Sequence, residues 1–273
     1  MATLRSKIKK NIKNALRACF APKIRAANIQ QSLEALGVPK DNPVLVHSSL
    51  SSLGYVAGGP QTLLDGIIAH LGSQGTIVLP THSWNLMNQG ARIFDARETP
   101  SCVGALTEWF RKQPHALRSL HPTHSVAAIG PRAEEITQHH EDASTPCGQG
   151  TPYHRLLEQD ATLLFLGAPL DSNTSYHCCE ALACVPYLMQ TETCGFKLID
   201  RHGKVHERRL ALHQGGIARN LAGLNQALTQ LNILKTTIVG KAPIRAIRGK
   251  PFMDHLFNAL TQQPNCLLKE NQG

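Results

Sequence analysis

The strongest constraint on this chain is the alternation of short apolar runs with longer segments of helical periodicity. The runs are Pro43-Val44-Leu45-Val46, Thr76 to Leu79, Ser125 to Gly130 and Thr162 to Gly167, with further strand-like runs at Thr236–Val239 and Ile244–Ile247. Between them, helices are predicted over Asn28 to Leu36 and along three apolar faces: Leu63, Leu64, Ile67, Ile68 and Leu71; Val103, Leu106 and Phe110; and Ile217, Leu221, Leu224, Leu228 and Leu231. Gly58-Gly59-Pro60 reads as a helix start, because proline at a first helical position loses no needed donor. Strands alternating with helices predict a layered α/β fold. The stretch from Thr81 to Pro100 reads as a long loop, the kind that is usually functional or mobile. No repeat or linker divides the chain, so one domain is expected over 27–273, with an appended arm over 1–26.

With 273 residues and 42% apolar content, the chain is long and apolar enough to bury a large core. No apolar run approaches the ~20 residues of a spanning helix, and the N-terminus lacks a secretory h-region, so a soluble cytoplasmic protein is expected. The charge is unevenly placed. Of 28 basic residues, eight lie within 1–33, where no acid occurs, which leaves 20 basic against 19 acidic residues, or +1, for the rest. The basic pI therefore describes the arm. Leu4, Ile8, Ile12 and Leu16 recur every fourth residue there, so the arm reads as a helix. It could pack one stripe on the body, lie weakly on an anionic membrane, touch nucleic acid or act as a transit peptide. The packing reading is preferred, and no nucleic-acid partner is expected. The eight cysteines include no C-x-x-C pair, which suits buried thiols of a reducing compartment. The 14 histidines include no H-E-x-x-H; His121 and His124 flank Pro122, and His139-His140 lie in a polar stretch, so no metal is predicted.

P-loop, dinucleotide and nucleophile-elbow templates are absent. Three segments remain. The buried run Leu163 to Gly167 leads through Asp171-Ser172-Asn173-Thr174-Ser175 into a helix expected near Tyr176, with three good N-cap residues in a row. This places His177 in the first turn and Glu180 three residues on, on the same face. A helix N-terminus disfavours imidazolium, and a carboxylate on the other ring nitrogen would fix the tautomer, which suits a general base. The same spacing also fits a helix start whose His and Glu merely face water. The second segment, Val46-His47-Ser48-Ser49-Leu50-Ser51-Ser52, follows a strand end, where open α/β sheets bind ligands; an ordinary serine-rich loop reads the same way. The third, Arg118-Ser119-Leu120-His121-Pro122-Thr123-His124-Ser125, sets a cation and several donors before a strand, and alone it is no more than a common surface turn.

Together the three segments resemble the aminoglycoside 3-N-acetyltransferase family. Val46-His47-Ser48-Ser49-Leu50-Ser51-Ser52-Leu53-Gly54 is similar to its N-terminal signature, Arg118-Ser119-x-His121-Pro122-x-x-Ser125 to the central one, and Asp171-x-Asn173-Thr174-Ser175-x-His177-x-x-Glu180 to the third. The resemblance runs from about residue 28 to about residue 250. It implies a three-layer α/β/α sandwich and direct transfer of acetyl from acetyl-coenzyme A to a primary amine of an aminoglycoside, through a ternary complex and without a metal. By position it implies His177 as general base and Glu180 as its orienting partner, with Asp171 and His47 in support. Ser48, Ser49, Leu50, Arg118, Ser119 and Ser125 would line the coenzyme A channel. Trp84, Asp95 and Glu98, on the 81–100 stretch, would face the acceptor. That stretch sets only two acids against Arg92 and Arg97, whereas polycation sites are normally acidic, so a non-drug amino sugar or a biosynthetic small amine stays open as acceptor. A degenerate member docked by its arm and a histidine-based metal hydrolase are the other readings, and the state could be monomer or homodimer.

Overall fold

The structure is a computed structural model and describes residues 23–269. In chain order the elements are β1 (Lys23–Ile24), α1 (Ala26–Leu36), β2 (Pro43–Ser48), α2 (Leu50–Leu53), β3 (Tyr55–Val56), α3 (Pro60–Leu71), β4 (Thr76–Pro80), α4 (Trp84–Asn88), β5 (Ile93–Asp95), α5 (Ala105–Phe110), β6 (Leu117–Arg118), β7 (Val126–Ile129), α6 (Ala133–Thr137), α7 (Pro152–Glu158), β8 (Thr162–Leu166), α8 (Tyr176–Leu182), β9 (Met189–Ile199), β10 (Val205–His213), α9 (Ala222–Gln230), β11 (Leu234–Val239), β12 (Ala242–Arg248) and α10 (Gly249–Gln262). Seven strands form the central sheet in the order β11-β12-β8-β2-β4-β7-β6. Its middle three run parallel, and antiparallel strands flank them on both sides.

The apolar runs are continuous because both faces of this sheet are covered. Val44, Val46, Leu164 and Leu166 face a layer that contains Leu33 of α1, Ile67 of α3 and Phe110 of α5. Their neighbours Leu45, Leu163 and Phe165 face the opposite layer, with Ile136 of α6, Tyr153 of α7 and Phe252 of α10. Alternate side chains thus feed two cores, and the α/β/α sandwich follows.

The structure departs from the sequence reading in three places. The stretch from Thr81 to Pro100 is not a free loop. It forms α4 and β5, and β5 pairs in parallel with β9 to complete a second sheet of order β10-β9-β5. The long β9–β10 hairpin is absent from the sequence reading altogether. Phe94 is fully buried in a small third core with Phe196, Leu198 and Leu210, and this ties the stretch down. Lastly, the end of the predicted arm belongs to the fold. Lys23–Ile24 pairs with Tyr55–Val56, buried Ile24 joins the first core, and α1 starts at Ala26. The helix read over Leu4 to Leu16, and any surface contact it makes, lie outside the described residues.

Candidate active site

Parallel neighbours β2 and β8 end side by side, with His47 opposite Phe165 and Ser48 opposite Leu166. Gly167 then turns the chain away at φ +68°, and a Cβ there would sit 3.2 Å from Leu53 Cγ and 3.3 Å from the Ser49 carbonyl oxygen. A 3-10 turn over Leu170–Ser172 follows, and Asn173 Oδ1 accepts the Ser175 N–H at 3.0 Å just before α8 begins. Ser175 is the N-cap residue by position, yet its side chain makes no capping bond. A cleft of about 400 Å³ opens here, lined among others by His47, Ser48, His82, Trp84, Asp171 and His177.

The pair expected from i, i+3 spacing is formed. His177 Nδ1 lies 2.7 Å from Glu180 Oε2. An ionised carboxylate only accepts, so Nδ1 carries the proton and Nε2 keeps the lone pair. Glu180 is fully buried and held from its other side by Arg219, whose Nε donates to Oε1 at 2.7 Å and Nη2 to Oε2 at 3.0 Å. The guanidinium carbon stands 5.3 Å from the Tyr176 ring centre and 5.8 Å from that of Tyr187. Burial pulls the His177 pKa below its ordinary value, the Glu180 hydrogen bond opposes that pull, and the Arg219 charge adds to it. Burial would raise Glu180, but the bonds from His177 and Arg219 outweigh it and hold the carboxyl below its usual range. The result is a neutral imidazole on an ionised, neutralised carboxylate.

The other residues singled out from the sequence divide into two groups. His47 lines the cleft, stacks on Phe165 with ring centres 4.9 Å apart, and is held by burial at a pKa of about 3; its buried Nε2 has no hydrogen-bond partner. Ser48, Asp171 and Trp84 also line the cleft. Ser49 stands at the N-cap position of α2 with its hydroxyl 2.8 Å from Ser52 Oγ but without a capping bond, and neither it nor Leu50 reaches the cleft wall.

The central segment stands behind the site. Arg118 donates to the carbonyls of Thr81 at 2.6 Å and Thr99 at 2.5 Å, and its guanidinium lies over Phe94. Buried Ser119 bonds His140 Nδ1 at 2.9 Å, and buried Ser125 donates to the Thr81 carbonyl at 2.9 Å. Arg118 and Ser125 are used up fastening the 81–100 stretch to the sheet, and Ser119 is held by His140 and the Val126 N–H, so the structure does not bring them to the cleft. Asp95 is similar: its Oδ1 accepts the N–H groups of Arg97 and Glu98, and neither Asp95 nor Glu98 lines the cleft.

Sequence reasoning missed Arg219, His82 and His124. His82 sits in the cleft wall with Nε2 2.6 Å from the Tyr153 hydroxyl. His124 joins His177 and His213 in a run of neighbouring imidazoles. No local spacing links these residues, since each arrives from a different element.

Fold and site define a class: an α/β/α sandwich with a small-molecule cleft at its parallel strand ends and a carboxylate-braced imidazole in the wall. A family model described as aminoglycoside 3-N-acetyltransferase matches residues 45–261, and the chain belongs to that family. Aminoglycoside N(3)-acetyltransferase IV of Salmonella sp is 30% identical over 217 residues, 79% of each chain. Aminoglycoside N(3)-acetyltransferase IX of Micromonospora chalcea is 35% identical over 147 residues, 47% of this chain and 52% of the relative. Against several such relatives the matched part thus spans only about half of their length. Among solved structures, the apoenzyme of aminoglycoside acetyltransferase AAC(3)-IVa superposes with a TM-score of 0.77 at 27% identity, over 93% of this chain and 94% of that one. A mutant of the same enzyme in complex with apramycin gives 0.73 at 29% identity, over 89% and 94%.

Proposed function

We propose that the chain is an acetyl-coenzyme A-dependent N-acetyltransferase that acts on a primary amine of an aminoglycoside, with His177 as general base. The observation that carries this reading is the 2.7 Å contact between His177 Nδ1 and Glu180 Oε2, backed by bidentate Arg219. An aliphatic ammonium has no lone pair at neutral pH, so transfer needs a base poised near that pH, and a positioned base is typically worth 10²–10⁴-fold. Nε2 of neutral His177 takes the ammonium proton. Glu180 steadies the imidazolium so formed while the free amine attacks the thioester carbonyl; as the new C–N bond forms the C–S bond breaks, the ring gives its proton to the leaving thiolate, and the second N–H proton passes to solvent. Coenzyme A brings the acetyl group already activated as a thioester.

The residues present suit that ligand. A cleft of about 400 Å³ is within the usual range for small-molecule sites. Ser48, Thr107 and Asn173 are among the polar residues that line it, and the buried His47 Nε2 is without a hydrogen-bond partner among the described residues. Cys178 and Cys179 are buried with thiol pKa values pushed up by burial, so neither serves as nucleophile. The family relationship and the apramycin-bound neighbour support an aminoglycoside acceptor, and turnover of such drugs would confer resistance on a cell that holds the enzyme in its cytoplasm.

One observation favours a second acceptor class. Asp171 is the sole carboxylate among the residues lining this cleft, whereas a polycation is best held by several. A hydroxyl-rich amino sugar with a single amine fits that balance. A thiol-release assay with acetyl-coenzyme A against aminoglycosides and amino sugars tests both. Release with aminoglycosides is expected; release with neither class would remove the reading.

A further inference from the structure

Beside the cleft, three side chains that acetyl transfer does not require converge. One potential ligand atom each of His124, Cys147 and His213 lies within 4.8 Å of the other two. They come from the turn before β7, the loop before α7 and the last residue of β10. Cys147 is fully buried and free. Both ring nitrogens of His213 are buried, and neither has a hydrogen-bond partner among the described residues. Buried polar side chains are nearly always satisfied, so an imidazole with two unsatisfied nitrogens facing a thiol calls for an explanation. Thr123 Oγ1 lies 2.8 Å from His124 Nδ1 and orients that ring; with Nδ1–H donating to the hydroxyl, Nε2 keeps its lone pair. Metal-ligating imidazoles are fixed in the same manner by an acceptor on the second ring nitrogen, most often a carboxylate, a backbone carbonyl or water.

We propose that His124, Cys147 and His213 form a site for a soft divalent cation, zinc above all, and that its occupancy silences the neighbouring His177. One thiolate with two imidazoles suits zinc and disfavours magnesium or calcium, which prefer oxygen ligands. Zinc bonds of these types place ligand atoms about 3.3–3.6 Å apart in a tetrahedron, so the three groups close in by about an ångström on binding. The Cys147 thiol gives its proton to solvent when it ligates, so affinity rises with pH. The ring of His213 is centred 4.6 Å from that of His177, and the ring of His124 6.3 Å from it. A dication among them opposes the imidazolium that His177 must become, or takes that ring as a fourth ligand. The silencing rests on the proposed role of His177; the binding does not. The ion is an inhibitor here and supplies nothing to the transfer.

Cobalt titration of the chelator-treated full chain separates the two. A near-ultraviolet thiolate-to-cobalt charge-transfer band is expected, displaced by zinc and absent from Cys147→Ala. Zinc should suppress thiol release by the unsubstituted chain. Cys147→Ala should keep its metal-free rate and need more than about tenfold higher zinc for the same suppression, because it loses a ligand outright. Cys147→Ser serves as a second variant should the alanine form fold poorly. No thiolate band, a band that survives loss of Cys147, or a band with transfer undiminished would each overturn the proposal. Should the chain release no thiol with any acceptor, the function proposed above fails, and the cobalt band still decides the site.

Discussion

The double engagement of Glu180 sets how basic His177 can be. Burial holds His177 below its ordinary pKa, and Arg219, which shares the carboxylate, adds its charge to that pull. Replacing Arg219 by Gln removes that charge while His177 keeps its acceptor. The pKa of the base therefore rises, the acid limb of kcat/KM moves to higher pH, and activity falls most on the acid side of that limb and recovers as pH rises above it. An unmoved limb in the pH–rate profile would show that Arg219 does not tune the base. Glu180→Gln should slow transfer less than loss of the imidazole itself, since orientation is impaired and the base remains. The His177–Glu180 pair was legible in the sequence because its spacing is local and helical. Arg219 was not, since it reaches Glu180 from 39 positions away through the tertiary fold alone. Arg118 and Ser125 show the converse: a segment rich in donors was legible, but its consumption by backbone carbonyls was not.

At the level of elements, the site depends on β8 ending beside β2 and turning at once toward α8. Gly167 makes that turn in the left-handed region against Leu53 and Ser49. Gly167→Ala is expected to cost roughly 1–3 kcal/mol, from backbone strain and crowding together, and to lower activity by displacing the lead into α8. A urea midpoint equal to that of the unsubstituted chain would contradict this. The central strands were readable because burial on both faces leaves an unbroken apolar run, as at Leu163 to Leu166. The hairpin of β9 and β10 was not, because one face is exposed and carries Thr193, Lys197, Glu207 and Arg209, so its apolar residues come singly. The 81–100 stretch looked like a loop for a related reason: Phe94 finds its partners Phe196 and Leu198 a hundred residues away in sequence.

Across the whole molecule, a cluster of the described histidines around the cleft is withdrawn from water. Burial holds His47 and His82 at pKa values of about 3 and His140 at about 4, and places His121, His124 and His213 well below their ordinary value. On acidification the unfolded chain binds these protons first. Stability is therefore complete above the ordinary histidine pKa and is lost as pH falls below it, by up to about 1.4 kcal/mol per pH unit for each such residue. Urea midpoints should drop steeply between pH 6.5 and 5, and a flat profile would show that these rings are protonated in the folded state. Both halves of the molecule meet at one ring, because the sheet supplies the cleft and α8 the base. The decisive measurement is thiol release by the full chain carrying His177→Ala, made beside calorimetric coenzyme A binding. Transfer is expected to fall by roughly 10²–10⁴-fold with coenzyme A affinity nearly unchanged; turnover at the unsubstituted rate would contradict His177 as the base.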